Sequence, residues 1–97
     1  MIDEIIEIES DIKKLENEID LGISLKNLKN NKDFKKIILN GFLQDYVLDI
    51  LYKESKIDFN KLKAAKTLND YFNIIESAAQ RAETNKIEYV KELNNLN

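Results

Sequence analysis

Residues 5 to 19 read IIEIESDIKKLENEI, and within them Ile5, Ile8, Ile12, Leu15 and Ile19 recur at steps of 3, 4, 3 and 4. Such spacing puts the five side chains on one narrow stripe of an α-helix, the apolar seam of a heptad repeat. The residues between them are mostly charged, and Glu9 stands four residues before Lys13, so the remaining faces are expected to be solvated. Beyond Ile19 the next apolar residues are Leu21, Ile23, Leu25 and Leu28, while Gly22 occupies the place the old register would have used. A bend or a change of partner is expected near Gly22.

Working outward, the other end of the chain carries a second seam. Leu68, Phe72, Ile75, Ala79, Ala82, Lys86, Tyr89, Leu93 and Leu96 keep steps of 4 and 3, and Leu62 and Ala65 extend the row backwards. About 35 residues of helix would span about 50 Å at 1.5 Å per residue. The small residues Ala78, Ala79 and Ala82 would let another helix approach closely, whereas Lys86 on the seam implies thinner packing.

Between the seams lies a stretch with more punctuation. Asn30, Asn31, Lys32 and Asp33 include no apolar residue and are rich in capping types, so one helix should end and another begin there. Phe34, Ile37, Ile38 and Phe42 have helical spacing, continued by Leu43, Val47, Ile50 and Leu51. Gly41 costs about 1 kcal/mol relative to alanine inside a helix, and is read as a cap separating two short helices. Phe34, Ile38, Phe42 and Val47 should form the core of this wedge. A polar break at Lys53–Asp58 follows, with Asp58 or Asn60 able to cap the last helix. The expected fold is all-α: an elongated helical hairpin of two long coiled-coil-like helices, about 2–29 and 59–95, with two short helices, about 33–39 and 41–54, between them. Its 97 residues suit a single domain.

Composition narrows the chemistry. The chain has no histidine and no cysteine, so it lacks the side chain that titrates nearest neutrality, the strongest nucleophile at neutral pH and the commonest transition-metal ligands. Ser24, Ser55 and Ser77 have no histidine to activate them, and no glycine-rich phosphate loop is present. No enzymatic activity, cofactor or metal is expected. Proline is also missing, and Gly22 and Gly41 are the only glycines, which permits long helices. Apolar runs are only a few residues long and the acidic start lacks the pattern of a secretory signal, so no membrane segment or leader is expected.

Charge is unevenly distributed. Residues 1 to 20 hold eight acids against Lys13 and Lys14, a net charge of −6, and residues 21 to 66 hold ten lysines against five acids. A helix points its carboxylates apart, so the acidic end reads as a solvated face that suits a helix N-terminus rather than as a cation site. Lys26, Lys29, Lys32, Lys35 and Lys36 cluster at the expected turn and could meet phosphate. The chain's net charge of −3 and its single arginine, Arg81, instead favour an acidic protein surface over nucleic acid. Tyr46, Tyr52, Tyr71 and Tyr89 fall at helix-face spacing with the phenylalanines and read mainly as packing residues.

A chain drawn into long helices buries less surface per residue than a globule, and apolar seam that no internal helix covers is an interface on offer. The residues expected to meet partners are Ile5, Ile8, Ile12, Leu15 and Ile19 at one end and Tyr89, Leu93 and Leu96 at the other.

The run LKNLKNNKDFKKIILNGFLQDYVLDIL, Leu25 to Leu51, resembles a family of small helical proteins encoded by tailed bacteriophages. Asp33, Phe34, Lys35, Ile37, Ile38, Leu39, Gly41 and Phe42 match that family's Asp-Phe-Lys motif, apolar triplet and glycine-aromatic pair, and LNDYFNIIESAAQRAE, Leu68 to Glu83, is similar to its long C-terminal helix. The matches cover about half of the chain, which carries Lys32 where the family often has proline, and Tyr46 and Val47 where it has acidic residues or alanine. The resemblance implies a minor protein of the phage head, bound at the portal vertex or the capsid, with the portal or major capsid protein and copies of itself as partners. It also implies a location in the virion and, during assembly, in the host cytoplasm. A scaffolding or assembly factor, or a small inhibitor or regulator of a host protein, are the alternatives.

Overall fold

A computed structural model describes residues 2–53 and 55–96 of the chain. The fold is all-α, and no strand occurs among the described residues. Helix α1 spans Ile2–Asn30, α2 is the single turn Lys32–Phe34, a π-helical segment covers Lys35–Asp45, α3 spans Tyr46–Tyr52 and α4 runs Phe59–Leu96. The bounds of the two long helices fall within about a residue of those the seams imply. The contacts fall into two compact units, Met1–Ser24 with Ile75–Asn97, and Leu25–Ile74.

The first unit pairs the two seams. Glu16 meets Lys86, and Gly22 faces Ala79, so advancing six residues along α1 corresponds to retreating seven along α4 and the helices run antiparallel. This is the helical hairpin that the matching seams imply. Its interior holds Ile8, Ile75 and Ala82, the last fully buried. Helix α1 continues through Gly22, and the change of partner expected near it falls two residues on, where the first unit's share of α1 ends at Ser24. Gly22 is a seam residue at a close approach, because a β-carbon there would collide with Ala79.

The second unit begins where α1 stops. Asn31 alone is non-helical, in extended conformation, between α1 and α2. Its N–H donates to the Leu28 carbonyl at 3.0 Å, tightening the last turn of α1, while its Oδ1 accepts the Phe34 N–H at 2.9 Å. One asparagine thus closes one helix and opens the next. Asp58 does the same for α4, its Oδ1 accepting from the N–H groups of Asn60 and Lys61 at 3.0 and 3.2 Å. The capping residue of α4 is therefore Asp58 rather than Asn60.

The expected break at Gly41 is not there. The helical path runs from Lys32 to Tyr52 without interruption, and Gly41 lacks the positive φ that a glycine cap requires. Instead the turn widens: the Tyr46 N–H donates to the Gly41 carbonyl, five residues back. Glu54, the expected last residue of the second short helix, lies outside the described residues. The wider turn changes which side chains point inward. Ile37 is 65% exposed, whereas Phe34, Ile38, Leu39, Phe42, Leu43, Tyr46 and Val47 are half-buried. The fully enclosed residues of this unit are Leu25, Ile50, Ala65 and Phe72, so its centre lies on flanking helices rather than on the expected quartet. Phe72 packs its ring 5.9 Å from that of Phe34, and Lys29 places its ammonium 5.8 Å from the Phe72 ring centroid, within cation–π range.

Candidate protein-interaction surface

The seam residues are placed inside the first unit. Ile8 is buried, and Ile5, Ile12, Leu15, Ile19, Tyr89, Leu93 and Leu96 are half-buried. The two seams face each other within the chain and all of these residues but Ile8 keep part of their surface in solvent, while the most exposed apolar residues of this unit lie off the seam. Ile2 and Ile6 are 75% and 59% exposed, one helical turn apart on α1, and Ile87 is exposed on α4. No periodicity argument singled these out, because they lie outside the 3,4 row. Lys86, the charged seam residue, reaches across to Glu16 at 3.3 Å rather than leaving a gap.

The second unit carries an open apolar groove of about 570 Å³. Leu43 from the π segment and Val47 and Leu51 from α3 form one wall, since residues four apart stand in a row on a helical face. Phe59, Leu62 and Ala65 of α4 form the other, with Lys63, Lys66 and Asn69 alongside them. Phe59 is 74% exposed, as the first residue of α4 immediately after the Asp58 cap. A second depression, of about 590 Å³, follows α4 through Lys63, Ala64, Leu68 and Tyr71.

Polar groups around these grooves make short local contacts. Lys66 holds Asp70 at 2.6 Å and Lys53 holds Asp49 at 3.0 Å, each across one helical turn. Of the lysines at the first turn, Lys26, Lys32, Lys35 and Lys36 are exposed, while Lys29 is half-buried against Phe72. Among the described residues no group of three or more acids could hold a metal ion, and no buried side-chain polar atom lacks a hydrogen-bond partner. No described helix is long and apolar enough to cross a membrane. What the described surface presents is an apolar furrow between helical walls with Lys63 and Lys66 alongside it.

Searches against protein-family profiles, curated proteins and solved structures return no match to the chain.

Proposed function

We propose that this chain is a non-enzymatic structural component of a tailed-bacteriophage head. It is a minor protein bound at the portal vertex or the capsid, present in the host cytoplasm during assembly, and it works by packing helices against copies of itself or a larger virion protein. The observation that carries the reading is the apolar groove of Leu43, Val47, Leu51, Phe59 and Leu62, open to solvent on a chain whose own seams are already paired. Contiguous exposed apolar surface of this kind supports a site of association. The wall residues Leu43, Val47 and Leu51 lie in the run Leu25 to Leu51 that resembles phage proteins, just beyond its matched stretch Asp33 to Phe42. Long helices without a nucleophile-base pair suit a part repeated in a symmetric shell or ring.

Mass spectrometry of purified mature particles tests the proposal. A structural component is present at a fixed number of copies per particle. Its presence in immature particles alone would make it a scaffolding factor, and its absence from both would remove it from the head.

A further inference from the structure

We propose that the groove of the second unit receives the N-terminal outer face of α1 from a second copy of the chain, a contact that rests on the reading of self-association above. Two surfaces on the page fit each other. The groove presents apolar walls from the π segment, α3 and α4, and the charged residues that line it are Lys63 and Lys66. The start of α1 presents Ile2 and Ile6 in one row, both exposed, among Asp3, Glu4, Glu7 and Glu9, with no lysine before Lys13. An apolar ridge edged with carboxylates therefore meets an apolar furrow edged with ammonium groups, and opposite charges at a rim set partner choice and orientation. Lys66 is held by Asp70, so Lys63 is the rim cation assigned to the incoming acids.

Dimensions agree. Ile2 and Ile6 stand about 6 Å apart along their helix, while Leu43, Val47 and Leu51 line about 12 Å of wall, at about 1.5 Å per residue. The furrow accepts the isoleucine pair with a turn to spare. Because ridge and furrow are different surfaces, a pair of copies keeps one ridge and one furrow free. The contact is heterologous, and repetition closes into a ring or continues as a filament.

The test uses the full chain and two variants at exposed positions, Ile6→Asp on the ridge and Phe59→Asp in the furrow, each checked for unchanged helicity by circular dichroism. Sedimentation velocity over a hundredfold concentration range should show wild-type mass rising, and each variant associating at least tenfold more weakly. Mixed in equal amounts, the two variants should form a 1:1 dimer and nothing larger, since the intact ridge of one fits the intact furrow of the other. Lys63→Glu should weaken association as well, and Glu7→Lys in the same chain should restore it in part. A wild type that stays monomeric, variants that associate like wild type, or a mixture that stays monomeric would each overturn the contact. A monomeric protein that is nonetheless found in mature particles would overturn this contact alone, whereas head-to-tail association by a protein missing from all particles would overturn the head-component reading alone.

Discussion

Gly22 of α1 lies against Ala79 of α4 so closely that a β-carbon on residue 22 would overlap the Ala79 methyl group. Two small residues at one level of an antiparallel pair let the backbones approach, and Ala82, one turn further along α4, is fully buried. Gly22→Ala should gain about 1 kcal/mol of helix propensity and lose about 1–3 kcal/mol to overpacking, so that it is at best neutral and otherwise destabilising. Ala79→Gly in the same chain should recover the overpacking loss, with a coupling energy of at least about 1 kcal/mol. Denaturant titration of the four proteins measures it. A single Gly22→Ala variant more stable than wild type by the full propensity gain would show that the helices are not pressed together there.

The π segment is tested by a pair of neighbouring substitutions. An α-helical reading puts Ile37 inside with Phe34 and Ile38, whereas five-residue hydrogen-bonded turns leave Ile37 outside and bring Leu39 in. Ile37→Asp should then change stability by no more than about 0.5 kcal/mol, as at an ordinary surface site, and Leu39→Asp should cost at least about 2 kcal/mol. Leucine is the better helix former by only a few tenths of a kcal/mol, so a contrast larger than that reports burial. A larger loss at Ile37 than at Leu39 would mean that the segment is wound as an α-helix in solution.

Why the seams were legible and the π segment was not follows from how each is specified. Ile5 to Ile19 and Phe72 to Leu96 repeat one spacing over several turns, and the burial pattern falls on those residues. Asn31 and Asp58 were legible as capping types because a short side-chain acceptor can reach the free N–H groups of a first turn. The wide turn of Lys35–Asp45 has no such signature: Phe34, Ile37, Ile38 and Phe42 satisfy an α-helical period that Leu43 continues, and only Leu39, half-buried in the structure, departs from it. Gly41 misled for the same reason, since a glycine amid apolar residues marks a cap more often than a π turn. The groove was hidden because its walls, Leu43 to Leu51 and Phe59 to Ala65, are brought together by folding rather than by sequence.

The aromatic residues of the second unit should differ in worth. Phe72 is buried and touches both Phe34 and the Lys29 ammonium, so Phe72→Ala should cost about 3–5 kcal/mol. Phe42 is half-buried, with its ring edge-on to Tyr46 at 5.6 Å. Truncating it forfeits part of its apolar burial and a ring pair worth about 0.5–1.5 kcal/mol, so its loss should be the smaller. Thermal or chemical unfolding that ranks Phe42 above Phe72 would place the centre of this unit elsewhere.

At the loop before α4, one carboxylate serves two backbone donors, the N–H groups of Asn60 and Lys61. Asp58→Ala should cost about 1 kcal/mol, and Asp58→Asn only a fraction of that, because asparagine offers an equivalent acceptor. Amide hydrogen exchange gives a local reading: faster exchange confined to residues 60–62 is expected in the alanine variant, and unchanged rates there would rule out the cap.

Lys86 occupies a seam position between Ala82 and Tyr89 that a leucine would fill, and its side chain remains 38% exposed while reaching Glu16. A partly exposed ion pair contributes about 0–1 kcal/mol, less than the apolar burial a leucine would add at about 25 cal/mol per Å². Lys86→Leu should therefore stabilise the chain by about 1 kcal/mol, a rise of about 4–8 °C in melting temperature for a chain of this size. The same change removes what a single polar residue on a seam supplies, a fixed register and a restricted choice of partners. Without the pairing to Glu16 the seam of α4 becomes apolar from Ile75 to Leu96, and alternative alignments between chains lose their penalty. The variant should consequently melt higher and also form oligomers that wild type does not, visible by native mass spectrometry at equal concentration. Glu16→Gln, which removes the charge and keeps the lysine on the seam, should change stability by less than about 1 kcal/mol and leave the oligomer distribution as it was. If Lys86→Leu proves less stable than wild type, the pair is worth more than its exposure allows, and the hairpin owes its alignment to electrostatics rather than to the fit of Gly22, Ala79 and Ala82.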